Sequence, residues 1–167
     1  AVLIGLALSV SGAAYQGTFK NPMVSPDILG ASAGSAFGAA LGILCSLNFA
    51  GVQITAFAFG LFAVIITYTI GKTVSRGSSS TLTLVLAGMV VSTLFSSFIA
   101  LTKYVANPYT QLPAITFWLM GGLSSIQGRD VLFMAVPMLI GIVPLFLLRW
   151  KINLLSLGDE EASALGV

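Results

Sequence analysis

The stretch ILGASAGSAFGAALGILCSLNFAGVQITAFAFGLFAVIITYTIG, residues 28–71, decides the fold because it runs for 44 residues without a charged side chain. A single helix of that length would reach roughly twice the thickness of a hydrocarbon core of about 30 Å. The sequence NFAGVQ at residues 48–53 supplies a turn. The stretch therefore predicts two membrane helices, near residues 29–48 and 52–71.

Charge-free runs also lie on both sides of this stretch. Only 7% of the 167 residues are charged and 57% are hydrophobic, whereas a soluble domain carries about 25% charged residues. We predict about five membrane helices in a single transmembrane domain, residues 1–167, with the other three near residues 1–19, 80–103 and 131–149. The predicted fold class is an all-α polytopic membrane protein in a lipid bilayer. Nothing in the composition indicates nucleic-acid binding.

A shorter apolar segment separates the fourth of these helices from the fifth. The turn-rich sequence NPYTQLP, residues 107–113, precedes it, and Gly121 and Gly122 follow it. About ten apolar residues are too few to span a bilayer. We therefore expect a short outer helix over residues 113–123, interfacial or re-entrant, with Pro113 in its first turn.

The positions of the cations predict the orientation of the chain. Alternating spans place Lys and Arg in two groups on opposite sides. One group is Lys20, Lys72, Arg76, Arg149 and Lys151, and the other is Lys103 and Arg129. Cytoplasmic loops carry an excess of Lys and Arg. The group of five, and with it the C-terminal end of the chain, is therefore predicted to be cytoplasmic.

Small residues recur at every fourth position in the first two predicted helices. One stripe is Gly30, Gly34, Gly38 and Gly42, and the other is Gly5, Ser9, Ala13 and Gly17. Such stripes let helix backbones approach closely inside a membrane. Between them, Ser25, Pro26 and Asp27 carry the signals of a helix start: a capping hydroxyl, a first-turn proline and a carboxylate at the positive end of the dipole. Residues 20–27 are therefore predicted to form a short, rigid turn.

The residue inventory excludes most catalytic and metal sites. The chain has no histidine, and Cys45 is its only cysteine, so neither a His/Cys metal site nor a histidine-based triad can form. The tripeptide Gly71-Lys72-Thr73 resembles the end of a phosphate-binding loop, but that loop needs a glycine where Ile66 stands. We predict no enzyme activity, no metal and no cofactor for this chain.

The interiors of the predicted spans contain no Asp, Glu, Lys, Arg or His. Ion-coupled carriers often place such groups at mid-membrane depth, so we expect the energy for any transport to come from another chain. Hydroxyl groups remain on the fourth span, where Ser92, Ser96 and Thr102 are candidates for lining a polar path. Alternatively, each hydroxyl bonds back to a carbonyl of its own helix.

The final segment, residues 150–167, is too short and too polar to span a membrane. We predict two short cytoplasmic helices around a glycine, with an apolar patch before it and carboxylates suited to a helix N-terminus after it. The candidate coupling residues are Leu154, Leu155, Leu157, Gly158, Asp159 and Glu160. The segment is typical of a docking element for a partner in water, and the alternative is a solvated loop that leads to a further span.

Four blocks of the sequence, in this order, resemble the permease subunits of ATP-binding-cassette (ABC) importers of the FecCD/BtuC family. The blocks are SGAAYQGTFKNPMVSPDILGASAGSAFGA (residues 11–39), LVLAGMVVSTLFSS (84–97), LPAITFWLMGGLSS (112–125) and INLLSLGDEEASALGV (152–167). Proteins of this family import iron–siderophore, haem, vitamin B12 and related chelates. Together the blocks cover most of the chain.

This resemblance implies a BtuC-like helix bundle in the inner (plasma) membrane that forms the path for an iron–siderophore or a related metal chelate. It also implies three partners: an ABC-type ATPase subunit, an extracytoplasmic substrate-binding protein and a second permease copy in a homodimer. The chain would correspond to the second through sixth helices of such a permease. Residues 152–167 match the coupling helices. The residues that match the family's cytoplasmic gate are Asn21 and Met23 in one loop and Ser80 and Thr81 in another.

Two other functions remain open from the residues alone. The first is half of an ion-coupled secondary carrier or channel, in which the final segment is only a loop. The second is a non-transport membrane scaffold whose final segment binds another partner. The identity of the chelate does not follow from the sequence, because hydroxyl groups on a path do not distinguish haem from a siderophore or cobalamin.

Overall fold

The computed structural model describes residues 1–74, 80–123 and 126–157. These residues form helices and turns without a strand, which confirms the all-α class. The α-helices are α1 (Val2–Phe19), α2 (Ala31–Leu44), α3 (Phe49–Val74), α4 (Ser80–Val105), α5 (Gln111–Met120), α6 (Gly128–Leu147) and α7 (Arg149–Leu157), and a 3₁₀ helix covers Pro26–Leu29. The chain divides into two compact units. The first comprises residues 1–26 and 123–167, and the second comprises residues 27–122.

Four of the described helices are long and apolar enough to cross a membrane, namely α1, α3, α4 and α6. The second predicted span is shorter than expected, because α2 has 14 residues and a length of about 21 Å. Its C-terminal end comes at Leu44, where Ser46 adopts a left-handed φ of 55° and the Leu47 N–H bonds to the Gly42 carbonyl. Its N-terminal end comes at Ala31, after the 3₁₀ helix, so the start signal formed by Ser25, Pro26 and Asp27 begins the 3₁₀ helix and not the α-helix itself.

Two other helices start at earlier positions than the sequence predicts. Helix α5 begins at Gln111 and not at Pro113, and the N–H groups of Gln111 and Leu112 bond to the Asn107 backbone carbonyl. The Asn107 Oδ1 accepts the N–H groups of Tyr109 and Thr110 in the turn before the helix. Helix α6 begins at Gly128, where the Asp130 carboxylate accepts the Gln127 N–H at 3.0 Å as part of a capping box.

The second unit is organised by the antiparallel contact between α2 and α3. A Cβ added to Gly34 would lie 2.6 Å from the Ala63 Cβ and from the Phe59 carbonyl oxygen. A Cβ on Gly38 would overlap the Thr55 carbonyl oxygen. The absence of these side chains brings the two backbones into contact, as the stripe of small residues predicts.

Helix α4 packs parallel to α2 along the other side of the same helix. Gly88 of α4 lies against the Ile28 carbonyl, and further along, Phe95 packs with Phe37 at a ring distance of 5.8 Å. The Thr67 hydroxyl of α3 is buried and donates to the Leu29 carbonyl at 2.9 Å. The end of the 3₁₀ helix is therefore fixed by α3 and α4 together.

The opposite end of the second unit is closed by α5. The Ile115 side chain is fully buried against Ala40 and Ala106. The Gln111 side chain accepts the Asn107 N–H at 3.0 Å and donates to the Leu44 carbonyl at 2.9 Å. One amide thus connects the start of α5 to the last carbonyls of α2, which have no partner inside their own helix.

The first unit consists of α1, α6 and α7. A Cβ on Gly17, in the last turn of α1, would lie 3.4 Å from Ile152 Cγ2 and 3.9 Å from Ser156 Cβ of α7. The C-terminal half of α1 and the C-terminal end of α6 line the same groove, so these two helices run parallel. Lys20 and Arg149 therefore lie at one end of this unit, and Arg129 lies at the other.

We predict that Gly38→Ala destabilises the protein by about 1–3 kcal/mol, because the added methyl group meets the α3 backbone with no space to relax. The matched control is Gly5→Ala, where nothing lies within 4 Å and better helix propensity stabilises by up to about 1 kcal/mol. Thermal unfolding in detergent, followed by tryptophan fluorescence, measures both. Equal shifts in Tm for the two variants would contradict the close α2–α3 contact.

Candidate functional site

The turn after α1 contains two of the predicted gate residues and is held by its own side chains. Lys20 ends α1 in a left-handed conformation with φ 51°, and the Asn21 N–H reaches back to the Gln16 carbonyl. The Asn21 Oδ1 accepts the Met23 N–H at 2.9 Å, and the Gln16 Nε2 donates to the Pro22 carbonyl at 3.1 Å. These bonds produce the short, rigid turn that the sequence predicts.

The two residues at the tip of this turn point in opposite directions. The Met23 side chain is 87% exposed, whereas Val24 is 2% exposed. Val24 therefore anchors the turn, and Met23 projects a flexible apolar side chain from it. Such an arrangement suits a residue that meets another surface, since an exposed methionine adapts its shape to a partner at low cost.

The other predicted gate residues lie at the start of α4, in the second unit. Ser80 is the first residue of the helix, and the Thr81 side chain is half-buried. Leu84, one turn further on, packs against Gly71 of α3, which holds this end of α4 in place. Arg76, one of the predicted cytoplasmic cations, lies outside the described residues.

Only the first part of the predicted coupling segment lies within the described residues. Helix α7 ends at Leu157, and among its leucines the Leu154 side chain is buried, with 5% exposure. The described backbone also includes Leu155 and Leu157, but their side chains lie outside the described part, as do Gly158, Asp159 and Glu160. Leu154 thus anchors α7 and does not belong to an exposed apolar patch in this structure.

The candidate path hydroxyls differ in their surroundings. The Ser96 hydroxyl is exposed and donates to the Ser92 carbonyl at 2.8 Å, and the Thr102 hydroxyl donates to the Phe98 carbonyl at 2.8 Å. Thr102 is buried, with 5% exposure, whereas Ser92 is half-buried beside Gly30. The bonds of Ser96 and Thr102 follow the alternative in which hydroxyls satisfy carbonyls of their own helix. Ser96 is the candidate whose side chain stays open to the surroundings.

Three structurally important residues were missed by sequence reasoning, namely Thr67, Gly88 and Gln111. Thr67 and Gly88 fix the 3₁₀ helix, and Gln111 connects α5 to α2. The role of Gln111 was not readable locally, because its side chain reaches the Leu44 carbonyl, 67 residues away in the chain. Nothing local distinguishes Thr67, since its partner is 38 residues away in the chain.

The described residues bring together no group of three or more Cys, Asp or Glu side chains that could hold a metal ion. The arrangement therefore consists of apolar helices with two conformationally fixed elements, the turn after α1 and helix α7. Helix α7 contacts Gly17 in the last turn of α1, three residues before the turn begins at Lys20. Such a layout suits mechanical coupling more than chemistry on a substrate.

These features define a polytopic helical protein of the kind that forms the membrane part of a transporter. The chain belongs to the FecCD transport family, whose family model matches residues 1–167. The family that the four sequence blocks indicate is therefore confirmed.

Named relatives and a solved structure support this membership. The chain is 38% identical to the molybdate import system permease protein MolB of Haemophilus influenzae over 100% of this chain and 49% of MolB. It is 36% identical to a probable iron chelatin transport system permease protein of Helicobacter pylori, again over 100% of this chain and 49% of the relative. An inward-facing ABC transporter assigned to the metal-chelate type matches with a TM-score of 0.87 and 38% identity, covering 99% of this chain and 52% of that one. The chain thus spans about half the length of these relatives.

We predict that Asn21→Ala accelerates hydrogen exchange of the Met23 amide by about fivefold, because a net hydrogen bond of about 1 kcal/mol is lost. The matched control is Asn48→Ala, which removes the Oδ1 acceptor of the Gly51 N–H at 2.8 Å in a different turn. This control should accelerate exchange at Gly51 and leave Met23 unchanged. Hydrogen exchange with mass spectrometry measures both, and an unchanged Met23 amide in Asn21→Ala would contradict a turn fixed by this side chain.

Proposed function

We propose that the protein carrying this chain is the permease subunit of an ATP-driven importer for a metal chelate. In this proposal the helices form part of the translocation path, and ATP is hydrolysed by a separate ATPase subunit. An extracytoplasmic binding protein delivers the chelate, and a second permease copy completes the path as a homodimer. Family membership supports this proposal, as do the names of the relatives, which are permeases of import systems.

The observation that carries the proposal is the contact between α7 and the last turn of α1. Movement of α7 by an ATPase would push directly on the last turn of α1, because Ile152 and Ser156 of α7 lie within van der Waals reach of a Cβ built at Gly17. The fixed turn at residues 20–24 follows within one helical turn, so the push reaches Asn21 and Met23 without a flexible link. Close packing transmits displacement because it leaves little room for local relaxation.

The gate in this proposal consists of Asn21 and Met23 on one loop and Ser80 and Thr81 on the other. Met23 is the exposed apolar side chain, and Asn21 fixes its backbone. The proposed surface for contact with the ATPase consists of Leu155, Leu157, Gly158, Asp159 and Glu160. Leu154 supports that surface from the buried side of α7.

The orientation in this proposal follows from the cations within each unit. Lys20, Arg149 and Lys151 lie at one end of the first unit, and Arg129 lies at the other. In the second unit, Lys72 is in the last turn of α3 and Lys103 is in the last turn of α4, at opposite ends of an antiparallel helix pair. The excess of positive charge therefore supports a cytoplasmic location for α7 and the turn after α1 in an inner membrane.

The named relatives of this chain differ in the solute that their names give. One relative is named for molybdate and another for an iron chelatin, so related chains serve solutes of different chemistry. Ser96 is the candidate hydroxyl that remains exposed, and Ser92 is half-buried one turn before it. We therefore propose that this chain supplies a weakly polar wall, and that selection of the chelate occurs mainly on the binding protein.

We predict that the double variant Leu157→Asp with Gly158→Trp abolishes co-purification of the permease with its cognate ATPase, because a charge and a bulky ring would occupy the proposed contact surface. Gly122→Trp is the matched control, since open space surrounds Gly122 and α5 lies far along the chain from α7. Co-purification from membranes in mild detergent gives the measurement. Intact binding by the double variant would contradict the docking role of residues 154–160.

We also predict that a thiol reagent outside the membrane labels Cys45 and does not label a cysteine placed at position 23. Cys45 is exposed at the C-terminal end of α2, and it is the only cysteine of the chain. A membrane-impermeant maleimide added to right-side-out vesicles should label Cys45 of the unaltered protein. It should not label the double variant Cys45→Ser with Met23→Cys, which carries its thiol at position 23. Labelling in detergent controls for the intrinsic reactivity of both thiols. The reverse pattern would place α7 outside the cytoplasm.

A further inference from the structure

A groove of about 340 Å³ runs along the first unit between α1 and the junction of α6 with α7. Small residues of α1 form its floor, and larger side chains of α6 and α7 form its walls. Its apolar lining consists mainly of Val10, Ala13, Ala14, Leu145, Phe146 and Ile152. The groove is within the usual range of ligand pockets, about 300–1,000 Å³, and can hold part of one acyl chain.

The groove ends at a cation whose hydrogen-bond donors remain available. The Arg149 guanidinium stacks over the Phe146 ring with 4.5 Å between its central carbon and the ring centroid. Stacking uses the face of the guanidinium, and no carboxylate of residues 1–74, 80–123 or 126–157 pairs with its N–H edge, which can bind an anion in a bidentate manner. The same residue lines the groove, so an anion at this edge would be joined to whatever fills the apolar part.

The surroundings of Arg149 are those of a membrane interface. Trp150 is 69% exposed, and Lys151 is exposed beside it. Tryptophan is enriched at the headgroup level, and basic pockets between membrane helices bind anionic headgroups.

The distribution of charge around the groove favours an anion over a zwitterion. Among the described residues of the first unit, the single carboxylate side chain is Asp130, which caps the start of α6. Leu147 lies 17 positions after Asp130, which corresponds to about 26 Å of helix at about 1.5 Å per residue. Within this described part, the Arg149 end of the groove therefore carries an excess of positive charge.

We propose that this groove binds one anionic phospholipid, with an acyl chain on the floor formed by Ala13 and Ala14 and the phosphate on Arg149. The lipid would lie against the same last turn of α1 that contacts α7, because Gly17 also lines the groove. Occupancy would therefore stabilise the α1–α7 contact without participating in transport of the solute. Phosphatidylglycerol is a suitable probe of this chemistry, and phosphatidylcholine, a zwitterion without net charge, is its comparison.

The test uses the intact permease that carries this chain, purified in detergent and examined by native mass spectrometry during titration with each lipid. We expect saturable retention of one phosphatidylglycerol per chain, in preference to phosphatidylcholine and resistant to excess inorganic phosphate. Arg149→Gln should weaken retention by about fivefold, the contribution typical of one cation near an anionic headgroup. Arg129→Gln is the matched control at the other end of α6 and should change nothing.

A second variant separates binding in the groove from general attraction to charge. Ala14→Leu fills the floor without altering the net charge and should also lower phosphatidylglycerol retention, while Arg149→Lys should keep most of it. Tm values confirm that each variant is folded. Equal retention of the two lipids, unchanged retention in Arg149→Gln or in Ala14→Leu, or displacement by inorganic phosphate would each overturn the proposal. Failure of both lipids to bind would also overturn the proposal, because a segment of protein would then occupy the groove.

Discussion

The contact between the backbones of α2 and α3 is the constraint on which the second unit depends. In lipid, apolar side chains gain little by leaving their surroundings, so helix association relies on close van der Waals packing. Gly34, Gly38 and Gly42 allow this packing because no side chain separates the helices. Each of these positions excludes a Cβ, so the contact tolerates almost no displacement along the helix axis. The relative position of α2 and α3 is therefore fixed within a fraction of a residue.

That fixed pair determines where the neighbouring elements can lie. With α2 held against α3, the carbonyl of Leu29 reaches the Thr67 hydroxyl, and the carbonyl of Ile28 lies on Gly88 of α4. At the other end, the Gln111 amide binds the last carbonyl of α2. Carbonyl groups at helix ends need partners when water is scarce, and here other helices provide them. The irregular segments at both ends of α2 are thus parts of the packing and not loose connections.

Most of the fold could be predicted from the sequence because its main signal is the length of charge-free runs. That signal depends on composition alone, and it located α1, α3, α4 and α6 to within a few residues. The end of α2 at Leu44 could not be read in this way, since the left-handed Ser46 lies inside an uncharged run. The start of α5 depends on the turn around Asn107 and the start of α6 on the Asp130 cap, and composition reveals neither. The gate and coupling residues came from family resemblance, and the buried state of Leu154 depends on tertiary packing that no local pattern encodes.

The helices of the two units differ in length, and this difference has a consequence for the surrounding bilayer. Helix α1 has 18 residues and a length of about 27 Å, whereas α3 and α4 have 26 residues each and about 39 Å. A hydrocarbon core of about 30 Å matches α1 but is too thin for α3 and α4 if they stand upright. Hydrophobic mismatch of this kind is relieved by tilting of the long helices or by local thickening of the lipid. The thickness of the membrane therefore affects the tilt of α3 and α4, and a change in the acyl-chain length of the lipids would alter this tilt without any ligand.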